Sequence, residues 1–259
     1  MRPFLSINDL LVTQGSDVGT NVAMDGSTAA CATQRCLPQG VAAALLVMFV
    51  AAWASRQGPM DWLTDRLFRR PSGWLARRFY RDPRPHFASF DTTLAALSLG
   101  PDDRLLEIGC GGGTLLERAL RFAGSAKAID HSAEMVAMTS ERNAEAITTG
   151  RLVVEQAEAE RLPFANGEFT VAVLTNVFFF LYEPECVLEE IHRVLASGGR
   201  LAIHTEAPGT PAWMAPIARR MRFYDDAKLV QLLVDTGFRD PTMIRTPAGR
   251  GQLATACRP

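Results

Sequence analysis

The densest group of residues able to do chemistry is Leu105-Leu106-Glu107-Ile108-Gly109-Cys110-Gly111-Gly112-Gly113-Thr114. An apolar stretch runs into glycines and out into a helix-forming sequence, the frame of a nucleotide-binding turn. Glycines there let the backbone turn tightly and let a ligand approach closer than a Cβ would permit. The dinucleotide fingerprint GxGxxG would begin at Gly109 and need glycine at 114, where Thr114 stands. The pattern present is ExGxGxG, with Glu107 two residues before the first glycine.

That carboxylate separates two kinds of ligand. A pyrophosphate site is normally kept free of negative charge, whereas S-adenosylmethionine carries a sulfonium, an ammonium and no phosphate. Glu107 beside the loop therefore suits a cationic cofactor better than an anionic one. Asp130 follows, seventeen residues past Gly113, after the apolar pair Ala128-Ile129. An acidic side chain at that place can accept from both ribose hydroxyls, which serves either NAD or S-adenosylmethionine. As a strand-end residue beside a cleft, Asp130 is expected to pack little of the core.

With these motifs in order, the sequence resembles the class I S-adenosylmethionine-dependent methyltransferases, in particular the small-molecule type that includes the quinone-biosynthesis C-methyltransferases. LLEIGCGGG resembles the family's first motif and Ala128-Ile129-Asp130 its second. Gln156-Ala157-Glu158-Ala159-Glu160-Arg161-Leu162-Pro163-Phe164 resembles the segment that meets the adenine, where the family commonly has Asp in place of Glu158. Residues 170–176 resemble the fourth strand, and 188–200 the helix and turn before the fifth, with Ser197 where Pro is common. The resemblance covers about 61–240. It implies that Glu158 accepts from the exocyclic amine and that the Ala159 amide faces the ring. It also implies a cofactor site made of Glu107, Gly109, Cys110, Gly111, Gly113, Asp130, His131, Met135, Glu158, Ala159, Asn176 and Val177, with S-adenosylmethionine as the cofactor.

Methyl transfer is an in-line displacement, so the protein must orient the acceptor and exclude water. A general base is needed only for a weakly acidic acceptor. Candidate acceptor residues follow the fourth and fifth strands: Phe179 and Tyr182 in the run 176–182, then His204, and Tyr224 further on. His204 is the one candidate general base, with a structural or pocket-lining role as its alternative. The aromatic run 178–180 reads more readily as core than as pocket, and His192 as a packing position. Trp213, Met214, Met221, Phe223 and Tyr224 fall where an apolar lid could form. The favoured function is methylation of a small, hydrophobic or aromatic molecule. The rivals are a nicotinamide-dependent oxidoreductase, disfavoured by Thr114 and Glu107, and a catalytically silent cofactor-binding or membrane-attached protein.

The elements that must position these residues follow from hydrophobic periodicity. Strands are predicted at 104–108, 126–130, 152–155, 170–175 and 200–205, and helices at 114–122, 133–148, 184–195 and 225–236. Gly198-Gly199 reads as the stop of the third of the long helices, and Pro184 as an early helical residue of the same one. This alternation is α/β: a Rossmann-like, mostly parallel sheet with helices on both faces and ligands at the carboxyl ends of the strands. One methyltransferase domain is expected over 60–259, with a helical cap at 61–100.

Residues 1–59 read as a leader preceding that domain, poorly ordered by composition over 1–40. The apolar run 41–54 extends about 21 Å as a helix, short of a hydrocarbon core of roughly 30 Å. Seven arginines lie between Arg66 and Arg84 among aromatic and aliphatic residues. They read as charged faces of the cap, with contact to an anionic membrane surface as the alternative. The 259 residues are 47% hydrophobic and 21% charged, enough to build a core and too apolar for a disordered chain. Lys plus Arg is 27 against 28 for Asp plus Glu, giving a net charge of −1, which argues against phosphate-driven binding of nucleic acid. Five cysteines and four histidines show no metal-ligand spacing, so no metal is expected. A reducing, cytoplasmic location follows, with attachment at the inner membrane surface left open by the run 41–54.

Overall fold

The structure is a computed structural model that describes residues 71, 73–209, 221–246 and 251–259. The leader run 41–54, the arginines at 66–70, and Trp213 and Met214 lie outside the described residues. The elements in chain order are α1 (Gly73–Arg81), a 3-10 turn (Arg84–His86), α2 (Phe87–Leu97), β1 (Arg104–Ile108), α3 (Thr114–Ala119), β2 (Ser125–Asp130) and α4 (Ala133–Arg142). They continue with α5 (Ala144–Thr148), β3 (Leu152–Gln156), β4 (Phe169–Thr175), a second 3-10 turn (Phe178–Phe180) and α6 (Pro184–Val194). The last are β5 (Leu195–Glu206), α7 (Asp226–Asp235), β6 (Arg239–Arg245) and β7 (Gly251–Cys257).

Seven strands form one sheet in the order β3-β2-β1-β4-β5-β7-β6. The first five run parallel, and β7 pairs antiparallel to both β5 and β6. Alternation along the strands divides the core between two faces. Leu106 and Ile108 of β1, Leu174 of β4 and Ile203 of β5 pack under α6 and α7 through Leu188, Ile191, Leu229 and Leu233. Leu105, Val171, Val173 and Ala202 point to the other face and pack under α2 and α3 through Leu97, Leu115 and Leu116. Strand order reverses between β1 and β4, and ligand crevices open at the carboxyl ends of strands at such a point.

The five predicted strands are all present. The helix predicted over 133–148 divides at Asn143, whose backbone leaves the helical region (φ −108, ψ 27). The helix from Thr114 closes at Ala119, three residues early, as the Leu120–Ala123 turn carries the chain down to β2. Gly198-Gly199 is not a helix stop. α6 ends at Val194 and β5 starts at once, with the pairing stepping from Phe169–Leu195 to Val171–Arg200. The two glycines therefore sit in a bulge of β5, where Gly198 takes φ +75 and its amide donates to Arg258 O. β6 and β7 carry no signal in the sequence reading. β6 is a polar edge strand interrupted by Asp240 at φ +53 and by Pro241, which breaks the alternation on which strand detection relies.

Among the described residues, no helix is long and apolar enough to cross a membrane.

Candidate active site

The glycine loop leaves β1 and is held on both sides. The amides of Gly109 and Cys110 donate to Ile129 O at 2.8 and 3.1 Å, which fastens the loop to the end of β2. The opposite side is held by the end of α4 and its C-cap, where Thr139, Arg142 and the capping Asn143 follow at i, i+3 and i+4. Thr139 Oγ1 donates to Gly111 O (2.8 Å), Arg142 Nε to Gly112 O (2.7 Å) and Asn143 Nδ2 to Gly113 O (3.2 Å). Three consecutive carbonyls are thus taken up by one helix and its cap. Arg142 also donates to Arg81 O, joining the end of α1 to the same loop. A Cβ at Gly112 would lie 2.3 Å from Tyr80 O, so α1 sits against the loop only because residue 112 has no side chain. The loop-holding residues on α4 were not singled out in the sequence; the polar i, i+3, i+4 stripe after Asp130 is the signal that marks them.

Two carboxylates converge on this loop. Asp130 is 6% exposed, and its oxygens accept from Gly111 N (3.0 Å) and Ser132 N (2.9 Å). Asp130 therefore pins the glycine loop to the start of α4. It carries structure that a strand-end residue was not expected to carry. Burial raises its carboxyl, against the lowering effect of the two amides and the His131 ring. Glu107 is 3% exposed, and its Oε2 is buried without a hydrogen-bond partner among the described residues. Burial, reinforced by the Asp130 charge, pushes the Glu107 carboxyl well above the ordinary carboxylate range. The same surroundings raise the Cys110 thiol, with burial the largest cause. A buried acid with an unsatisfied oxygen beside a second acid is a site short of positive charge.

Glu107, Asp130 and the loop open into a cavity of about 1000 Å³, at the upper end of the roughly 300–1,000 Å³ usual for small-molecule sites. Of the proposed cofactor residues, Gly109, Cys110, Gly111, His131 and Met135 also line it, as do Glu158, Ala159, Asn176 and Val177. Gly113 does not. A Cβ there would meet Asn143 Nδ2 at 2.6 Å, and its role is to let α3 and α4 close on each other. Of the proposed acceptor residues, Phe179, Tyr182 and His204 line the cavity. Tyr224 does not; its ring packs edge-on against Phe178 at 5.5 Å, and its carbonyl accepts from Gln252 Nε2. The aromatic run divides: Phe178 is fully buried in the core, whereas Phe179 and Phe180 face the cavity. Met221 and Phe223 line it as well.

The cap supplies residues that the sequence reading missed. Tyr80, His86, Ser89 and Phe90 come from α1, the first 3-10 turn and α2, and all border the cavity. Asn176 follows β4 at φ +60, a left-handed conformation that Asn tolerates better than most residues, with its amide donating to His204 O at 2.9 Å. Its side chain lies between two imidazoles, 2.9 Å from His86 Nδ1 and 3.1 Å from His204 Nδ1. Burial lowers His86. His204, 2% exposed, is pushed down to about 4 by burial and by His86. Among the described residues, no group of three or more His, Cys, Asp or Glu could hold a metal ion.

Residues 106–203 match a family model described as a methyltransferase domain. The chain is 33% identical over 117 residues to 27-O-demethylrifamycin SV methyltransferase of Amycolatopsis mediterranei, covering 44% of this chain and 42% of that protein. It is 31% identical over 110 residues to the ubiquinone/menaquinone biosynthesis C-methyltransferase UbiE of Geotalea daltonii, covering 41% and 47%. The chain spans about half the length of the curated relatives it matches, 46% for a Mycobacterium tuberculosis protein of unknown role. Among solved structures, geranyl diphosphate C-methyltransferase of Streptomyces coelicolor superposes with a TM-score of 0.60 at 18% identity, covering 73% of this chain and 86% of that one. Sheet order, glycine loop and domain match agree: residues 106–203 match a methyltransferase domain, set in a Rossmann-like, mostly parallel sheet.

Proposed function

We propose that the protein transfers a methyl group from S-adenosylmethionine to a small, hydrophobic or aromatic acceptor. The observation that carries this reading is one cavity joining two unlike ends: a buried pair of acids at the glycine loop, and a wall built by Phe90, Phe179, Phe180 and Phe223. The acid end fits the cofactor, because the unpaired Glu107 Oε2 and the raised carboxyls of Glu107 and Asp130 call for a cation. Bound there, S-adenosylmethionine would supply an electrophilic methyl group.

The chain's own residues would do the rest. Asp130 and His131 would meet the ribose, with the Asp130 lone pairs not used by Gly111 and Ser132 accepting from its hydroxyls. Glu158 and the Ala159 amide would meet the adenine, and Glu107 would face the positive charge through the fixed backbone of the loop. The aromatic wall would hold the acceptor and keep water from the reacting centre. The relatives named for quinone biosynthesis and for a rifamycin acceptor support a small molecule as the acceptor.

Incubating the full chain with methyl-labelled S-adenosylmethionine and a small-molecule cell extract tests the reading. Label appearing in an organic-extractable product, with release of S-adenosylhomocysteine, is the expected result. Tight binding with no release over hours would favour a cofactor-binding protein without transferase activity.

A further inference from the structure

The cavity also holds a linked polar group of which only Asn176 is expected to meet the cofactor. His86, Asn176 and His204 all line it, and a single amide joins the two imidazoles. Ser89 decides which way that amide faces. Ser89 Oγ donates its hydrogen to His86 O at 2.7 Å, which leaves its lone pairs to accept, and Asn176 Nδ2 lies 3.4 Å from it. The NH₂ group of Asn176 therefore faces Ser89 and His86, and the amide oxygen faces His204.

Tautomers follow from that orientation. An NH₂ group only donates, so His86 Nδ1 is bare and the ring hydrogen sits on Nε2. An amide oxygen only accepts, so His204 Nδ1 carries its ring hydrogen and Nε2 is a bare lone pair. Burial disfavours the charged form of both rings, so each holds one ring hydrogen at neutral pH. His204 Nε2 is buried without a hydrogen-bond partner among the described residues, a costly state for a polar atom. Gly251 and Thr246 lie beside it. A Cβ at Gly251 would lie 3.1 Å from that nitrogen, and the nearby Thr246 Oγ1 is already committed to Gly251 O at 3.0 Å. Thr246 and Gly251 both border the same cavity.

We propose that His86 and His204 form a donor–acceptor pair that selects a neutral, hydroxyl-bearing aromatic or enolic molecule as the acceptor. The ligand hydroxyl donates to His204 Nε2, and a ligand oxygen accepts from His86 Nε2–H. Asn176 is the positioning residue that sets the rings in opposite tautomers. An ether or bare hydrocarbon of the same shape would leave the buried lone pair unmatched, and a site built to pair a hydroxyl discriminates strongly against ligands lacking one. The proposal rests on the reading that this cavity takes an apolar small molecule beside the methyl donor.

The test uses the full chain saturated with S-adenosylhomocysteine and two probes, 2-naphthol and its methyl ether. Calorimetry is expected to show 2-naphthol binding at least tenfold tighter, about 1.4 kcal/mol, and His204→Leu is expected to bring the two within about threefold. Nitrogen-15 spectra of histidine-labelled protein should place the hydrogen on Nδ1 of His204 and Nε2 of His86. Asn176→Asp, whose carboxylate only accepts, should move the His86 hydrogen to Nδ1. Equal affinity for the two probes, or the same tautomer in both rings, overturns the proposal. If the tautomers and the preference for 2-naphthol hold while S-adenosylhomocysteine fails to bind, the pair stands and the methyl-donor reading falls.

Discussion

Glu107, next to last in β1, has one carboxylate oxygen without a partner among the described residues and its carboxyl raised by burial and by Asp130. In the folded chain it holds its proton to higher pH than in the unfolded chain. Over that window the folded state binds more protons, so stability falls as pH rises from the ordinary Glu range through the raised value, and the cost is complete above it. Glu107→Gln removes the charge and keeps the shape. Its thermal midpoint is expected to exceed that of the parent at neutral pH, and the difference is expected to vanish toward pH 4. Each kcal/mol corresponds to about 2–4 °C in a chain of this size. With Glu107 facing the cofactor as proposed, the same change would delete a charge-assisted partner, typically about 1.5–3 kcal/mol, so affinity for S-adenosylmethionine should drop about tenfold or more. Thermal scans across pH and calorimetry check both halves. A lower midpoint with unchanged affinity would make Glu107 a structural strand-end acid.

At the scale of elements, the cap and the glycine loop are one assembly. Arg142 holds Gly112 O and Arg81 O together, and Tyr80 O approaches the place where a Cβ of residue 112 would be. Gly112→Ala is therefore expected to push α1 off the loop, destabilising the chain by about 1–3 kcal/mol as overpacking does and weakening cofactor binding as well. Chemical denaturation and calorimetry would show it, and an unchanged midpoint with unchanged binding would mean that the cap docks elsewhere. The loop, Asp130 and the five parallel strands were legible because each is a local pattern: an apolar run, a glycine spacing, an acid at a strand end. His86 was not legible as a site residue, since ninety positions separate it from Asn176 and only the docking of the cap brings the two within 2.9 Å. Tyr224 misled for the same reason, because its neighbour Phe223 reaches the cavity while its own ring packs against Phe178. β6 escaped notice because an edge strand with Pro241 and an exposed polar pattern has no period to detect.

On the scale of the whole molecule, the described residues, all of which follow position 70, supply a seven-stranded sheet, two faces of core and a cavity lining. A chain beginning at Met60 is expected to fold cooperatively and to keep cofactor affinity within about threefold of the full chain, checked by thermal unfolding and titration. Aggregation of the shorter chain, with the full chain soluble, would mean that the apolar run at 41–54 completes the core. In the proposed function, the acids at the glycine loop make the cavity a site for a sulfonium cofactor and not for a dinucleotide. Calorimetric titration of the full chain with S-adenosylmethionine, S-adenosylhomocysteine and NADH decides between the two. Saturable one-site binding of the first two, with no heat from NADH, is the predicted result; binding of NADH without S-adenosylmethionine would contradict it.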